Sequence, residues 1–304
     1  MVVNNALITN SRLEDIYNNS EIIPFNSYSK FIIMSDCHRG QGNSGDNFSP
    51  NQNLFFSALE YYYQNGFTYI ELGDGDELWE NRSVMPIIEA HNDAFWMMSE
   101  FYRSNRLYML YGNHDIVKSR KNYMSKNFHN YYYDATRCHI PLFPKIKVHE
   151  GLILENITDK ERIFLVHGHQ GDLLNDKLWM LARFLVRYLW RPLELIGFLD
   201  PSGSNKSHDS KEKTEKRLSA YACAKNNIVI AGHTHRTVFS QPGTGLYFNA
   251  GSCVHPRCIT GIEIENNKIS LIKWSVCTKK DRSLYIDRVV LEEPVSLSDY
   301  FNNF

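Results

Sequence analysis

Residues 106–115 read RLYMLYGNHD, an apolar run that stops on Gly112, Asn113, His114 and Asp115. A short apolar run bounded by such residues reads as a buried strand. Glycine, asparagine and aspartate are ordinary turn formers, so the tetrapeptide alone predicts a turn. An amide, an imidazole and a carboxylate in a row at a strand end also form a plausible metal or catalytic site. The remainder of the chain decides between the two.

The same ending recurs on both sides of this stretch. KFIIMS (30–35) runs into Asp36 and His38, and FTYIEL (67–72) runs into Gly73 and Asp74. Ser49-Pro50-Asn51-Gln52 predicts a helix start, with Ser49 as cap and Pro50 at the first helical position. That helix should run to Asn65 and stop at Gly66, and a second is predicted over 86–104. Alternating strands and helices imply a mostly parallel sheet, which binds ligands at the carboxyl ends of its strands. Further along, RIFLVHG (162–168) ends on His167, and NIVIAGHTH (227–235) ends on His233 and His235. KIKVHEGLILEN (145–156) predicts a hairpin turning at Glu150-Gly151. GIEIENNKISLIKWSV (261–276) predicts another about Asn266-Asn267, and RSLYIDRVVLE (282–292) a further strand. The second half is thus richer in antiparallel pairing, which predicts two packed sheets.

The 304 residues are 43% hydrophobic, enough for a large core and unlike a disordered chain. The whole is read as one α/β domain, 1–304, with a helical insertion over 172–225. Within it, 175–199 is an aromatic, amphipathic helix with Arg183, Arg187 and Arg191 four apart and a break at Pro192. This stripe suits packing, a dimer contact or a lid over a lipid-like substrate. Residues 200–217 are polar, turning helical toward 218–225. A formal charge of −1 offers no general field for nucleic acid. The six cysteines form no CxxC pair, the start lacks a signal-peptide pattern, and no apolar run reaches transmembrane length. These features predict reduced thiols, a cytoplasmic location and no transmembrane segment.

The strand-end residues are Asp36, His38, Asp74, Asn113, His114, His167, His233 and His235. Each alone suits a turn, a cap or a structural histidine. Together they form mixed nitrogen and oxygen donors. Asp36 and His38 are two apart, so in an extended segment their side chains share a face, and His233 and His235 repeat that spacing. Without cysteine, the set argues against a closed structural zinc site and suits borderline first-row divalent ions better than calcium or magnesium. Seven ligands exceed the needs of one ion with an open position. They suit two ions sharing a carboxylate, which ~3.5–4 Å apart would clamp the attacking and leaving oxygens at phosphorus and acidify a bridging water.

SDCHRG (35–40), GDGDELW (73–79), GNHD (112–115), VHGH (166–169) and AGHTHR (231–236), in that order, resemble the five signature blocks of the calcineurin-like metallophosphoesterases. FNAGS (248–252) resembles the segment that follows the last block. The resemblance implies a four-layer αββα sandwich of two mixed sheets with helices outside. It implies that Asp36, His38 and His235 hold one metal, that Asn113, His167 and His233 hold the other, and that Asp74 bridges them. His114 would give a proton to the leaving oxygen or stabilise its charge. The implied cofactors are two divalent ions, manganese first, with iron, zinc, cobalt or nickel as alternatives. The implied reaction is hydrolysis of a phosphoester or pyrophosphate bond by in-line attack of a metal-bridging hydroxide on a small phosphorylated substrate.

GDGDELW lacks the Asp-Arg-Gly ending of the protein Ser/Thr phosphatases. Glu77 and Trp79 instead resemble the UDP-diacylglucosamine pyrophosphatase branch, which points to a nucleotide-linked or lipid-linked phosphate. A protein phosphatase and a non-catalytic metal-bound scaffold are the alternatives. Where that branch has His-Gly-Asp, this chain has His167-Gly168-His169. His169 therefore competes with His167, which is preferred because it sits directly at the strand end. Arg39 and Arg236 are candidates for the substrate phosphate. Glu77, Asp115 and His169 are candidates for orienting the ligands from behind.

Overall fold

The computed structural model describes residues 2–133, 136–170 and 206–302, with 180, 184, 186 and 188 between them. Three strands that end on polar residues, Lys30–Met34, Thr68–Leu72 and Leu107–Leu110, lie side by side and parallel. Parallel strands are covered on both faces, which is why each is apolar nearly throughout. The two-residue pleat sorts their side chains. Phe31, Ile33, Ile70, Leu72 and Leu110 point to a core shared with a second sheet. Ile32, Met34, Tyr69 and Met109 point the other way, into a core completed by the helices Gln52–Gln64 and Asn92–Arg103.

Among the described residues the first sheet has seven strands in the order Leu284–Ser296, Lys268–Thr278, Cys258–Glu265, Lys30–Met34, Thr68–Leu72, Leu107–Leu110, Val148–His149. The second has six, in the order Glu21–Phe25, Gly151–Asn156, Arg162–Val166, Ile228–Ala231, Tyr247–Ala250, Thr237–Phe239. Its outer side is covered by the helices Val2–Asn19, through Leu13 and Ile16, and Lys206–Lys225, through Leu218, Tyr221 and Ala222. Helix, sheet, sheet and helix make the four layers expected. No helix of the described residues is long and apolar enough to cross a membrane.

The hairpin about Asn266-Asn267 is present, pairing Glu265 with Lys268. Both turn residues have positive φ, 53° and 56°, as a tight two-residue hairpin loop requires. The hairpin expected over 145–156 is not. Val148–His149 pairs with Leu107–Leu110 in the first sheet, while Gly151–Asn156 joins Glu21–Phe25 and Arg162–Val166 in the second. The chain changes sheets at Glu150, and each half finds its partners elsewhere. Ser49 does not cap the helix that follows. The Asp46 carboxylate takes the N–H groups of Phe48 and Ser49, and Ser49–Asn51 forms a 3₁₀ turn. The helix expected over 86–104 is two, Met85–Ala90 and Asn92–Arg103, broken at His91. The helix expected from 218 begins at Lys206. The helix over 175–199 and its break at Pro192 fall outside the described residues, apart from four positions.

Candidate active site

All the strand ends identified in the sequence meet at one edge, where the two sheets abut. The backbone there is unusual. Asp36, His38, Asp74, His233 and His235 have φ of 55°, 46°, 49°, 67° and 57°. Left-handed backbone costs a non-glycine residue about 1–3 kcal/mol, and such residues cluster where structure serves a site. Asp36 and His38 are therefore not paired by the pleat of an extended segment, as their spacing suggested. A turn at each residue aims them inward. The turns are held by ladder-like bonds between loops: Asp36 N–H to Gly73 O at 3.1 Å, and His38 N–H to Asp74 O at 2.9 Å. Gly73, with φ of +95°, is required by close approach as well, since a β-carbon there would lie 2.6 Å from His167 Nδ1 and 2.8 Å from Gly112 N.

Among the described residues three groups of side chains have metal-ligand spacing: His38 with Glu77 and His114, and two clusters built from strand-end residues alone. In one, His235 Nε2 is 3.1 Å from Asp36 Oδ1, and His38 Nε2 is 3.2 Å from His235 Nε2. In the other, His167 Nε2 is 3.1 Å from Asp74 Oδ2, and His233 completes the group. Asp74 Oδ2 is also 3.8 Å from His38 Nε2, so this carboxylate stands between the clusters. Each carboxylate has one oxygen tied by a backbone N–H. Asp36 Oδ2 accepts from His233 N, and Asp74 Oδ1 from His114 N, leaving Asp36 Oδ1 and Asp74 Oδ2 toward the imidazoles. His167 Nδ1 bonds Leu72 O at 2.9 Å, which turns Nε2 to the cluster. Asn113 is buried, and its side-chain oxygen has no hydrogen-bond partner. Buried acceptors and imidazole nitrogens converging without donors fit a divalent cation, because the chain does not satisfy them by itself.

Charge is arranged accordingly. Burial would raise the Asp36 and Asp74 carboxyls, but the neighbouring imidazoles, His235 for Asp36 and His167 for both, outweigh it and hold both well below the usual range. Against burial, Asp74 and Asp36 raise His167 to about 9. Burial, with His167 alongside, takes His233 down to about 3, and burial also lowers His235.

His114 stands beside the clusters. Its Nδ1 meets Glu77 Oε2 at 2.7 Å, and the same carboxylate oxygen meets His38 Nδ1 at 2.9 Å. Trp79 stacks on the His114 ring, with centroids 4.3 Å apart and planes at 19°. Glu77 is held at about 2, burial being outweighed by His114. Burial notwithstanding, Glu77 and Asp74 raise His114.

His169 lies outside both clusters. It is buried 5.4 Å from the His167 ring and 6.4 Å from the His233 ring, and neither of its nitrogens is hydrogen bonded. Asp115 precedes the 3₁₀ turn Ile116–Ser119, but its side chain makes no cap bond to it. It accepts from Gly112 N at 2.7 Å and Gly75 N at 3.1 Å. Arg236 is on the rim beside His235, 45% exposed and 3.9 Å from Glu215. Arg39 corrects the expectation: it is fully buried, its guanidinium spent on Glu71 and Asp76, and does not face a substrate. Glu71, Asp76 and Lys118, which complete the surroundings of Arg39, were missed. The available signal was Glu71, a charge inside the otherwise apolar FTYIEL.

No curated protein matches the chain. Among solved structures, it is similar to a cold-active protein tyrosine phosphatase of a psychrophilic Shewanella species, at 16% identity over 90% of this chain and 83% of that one, TM-score 0.39. It is also similar to Chaetomium thermophilum Vps29, at 9% identity over 88% of this chain and 98% of that one, TM-score 0.37. Likenesses of this extent carry no argument about substrate. A family model shows the family alone: every residue of the two clusters, together with Asn113, His114 and Glu77, falls within residues 29–237, which match the calcineurin-like phosphoesterases, and the chain belongs to that family.

Proposed function

We propose that this metal-dependent phosphoesterase works with two divalent cations, manganese first among them. Asp36, His38 and His235 would hold one, Asn113, His167 and His233 the other, and Asp74 both. The observation that carries the reading is the pair of adjacent three-residue clusters with Asp74 between them. Bound divalent cations supply Lewis acidity, which acidifies water and polarises a phosphoryl oxygen.

The chain's own residues do the rest. Asp36 and Asp74 stay ionised, each with one oxygen pinned by a backbone N–H. His167, His233 and His235 offer ring nitrogens. Glu77 accepts the His114 Nδ1–H and stabilises the imidazolium, so that the second N–H, at Nε2, delivers its proton to the leaving oxygen. Trp79 limits rotation of that ring and limits access of water on its face. Arg236, on the rim next to His235, is positioned for a substrate oxyanion.

The substrate class we favour is a nucleotide-linked or lipid-linked phosphate in the cytoplasm. The Glu77 and Trp79 pattern supports it. So does the insertion: Met180, Phe184 and Tyr188 are four apart and exposed, and the Tyr188 hydroxyl receives a 2.7 Å bond from Arg82, three residues beyond Trp79.

The test is hydrolysis of p-nitrophenyl phosphate, its bis-ester and a panel of nucleotide diphosphates by purified, manganese-loaded protein. Asp74→Ala and His114→Ala should lose the rate. Unchanged turnover in either variant rejects the role given to that residue.

A further inference from the structure

Beneath the two clusters lie five charged residues whose side chains are closed to solvent: Arg39, Glu71, Asp76, Asp115 and Lys118. Arg39 grips both Glu71 oxygens, at 2.7 and 2.9 Å, and donates from Nε to Asp76 at 2.7 Å. Lys118 Nζ is 2.7 Å from both Asp76 Oδ2 and Asp115 Oδ2. The surroundings are apolar, with the Arg39 guanidinium 5.0 Å from the Phe95 ring centre and the Lys118 amine 5.6 Å from that of Phe128. Buried ion pairs commonly give no more stability than apolar side chains of the same volume. Stability alone is therefore a poor account of five such charges in one place.

Their positions supply a better one. Arg39 directly follows His38. Asp76 lies between Asp74 and Glu77. Asp115 directly follows Asn113 and His114. Each loop that carries these site residues thus also contributes a buried charge, and the bonds run between loops. Arg39 to Asp76 joins the Asp36–His38 loop to the Asp74 loop. Asp115, accepting from Gly112 N and Gly75 N, joins the Asn113–His114 loop to the Asp74 loop. Lys118 closes the circuit between Asp76 and Asp115.

We infer that Arg39 and Lys118 are positioning residues, whose buried ion network locks three ligand-bearing loops together so that the site is formed before cations arrive. Neither residue touches substrate. The inference rests on the ligand set proposed above.

The experiment uses the full chain and Co²⁺, whose visible absorption reports coordination directly. Lys118→Met should bind Co²⁺ at least about tenfold more weakly and with altered bands, in keeping with outer-sphere effects on metal sites. At saturating Co²⁺, kcat on p-nitrophenyl phosphate should fall about 10–100-fold, with KM within about twofold. Asp115→Asn, close in volume, is the second variant and should behave likewise. Leu271→Ala, in the core away from the site, serves as a control for general loss of stability and should keep the wild-type spectrum. Wild-type protein that fails to bind Co²⁺ would reject the ligand set itself. Wild-type binding with unchanged variants would reject the network's role alone. Failure of both variants to fold, or the same spectral change in Leu271→Ala, would make the network a matter of stability and overturn the inference.

Discussion

Glu77→Gln tests how His114 is prepared for proton transfer. One carboxylate serves two rings, meeting His114 Nδ1 at 2.7 Å and His38 Nδ1 at 2.9 Å. Its other oxygen is held in place by the N–H groups of Trp79 and Glu80. Glutamine keeps the shape but removes the charge, and its amide accepts through one oxygen only. A hydrogen bond to a charged group contributes about 1.5–3 kcal/mol, so kcat should fall roughly 10–100-fold if the bond strengthens in the transition state. The pH profile carries the sharper signature. Burial lowers His114, whereas Glu77 and then Asp74 raise it, with a net upward shift. Removing Glu77 removes the first of the raising charges. A general acid works only below its own pKa, so the alkaline limb of kcat should move to lower pH. Phenyl phosphate, with its poorer leaving group, should lose more rate than p-nitrophenyl phosphate, because it depends more on the proton. Co²⁺ titration separates any effect through His38. An unmoved alkaline limb, or equal losses on the two esters, would refute His114 as a proton donor prepared by Glu77.

Gly73→Ala combines a disallowed φ with a β-carbon 2.6 Å from His167 Nδ1, and should cost about 2–4 kcal/mol in urea unfolding along with most of the metal affinity. Metal binding should weaken as pH falls below about 9, because His167, raised to about 9, must release a proton to become a ligand. That proton alone gives up to about tenfold in Co²⁺ affinity per pH unit, readable by titration at several pH values; His233, already at about 3, adds nothing near neutrality. Away from the site, burial takes His149 down to about 4. A depressed histidine contributes stability above its ordinary value that is lost as pH falls toward 4. Metal-free protein should therefore lose at most about 3 kcal/mol over that window from this residue, and His149→Gln should flatten that part of the urea-midpoint profile.

What could be read in the sequence was local. A strand that stops on a carboxylate or an imidazole is visible in a few residues, and parallel strands bring such ends to one edge whatever their order. What could not be read depended on partners distant in the chain. Val148–His149 and Gly151–Asn156 look like two arms of one hairpin, but their partners are Leu107–Leu110 in one sheet and Glu21–Phe25 in the other. Arg39 was misjudged for a related reason. Its neighbour His38 turns with φ of 46°, and the next side chain is directed into the protein, not along the rim. Nothing in SDCHRG announces that turn. Glu71 did announce a buried counter-charge. A carboxylate inside a strand covered on both faces must be paired or neutral, since an isolated buried charge is too costly. A cation was therefore owed to it, and a basic residue beside a signature block should be tested against that debt before it is assigned to a substrate phosphate.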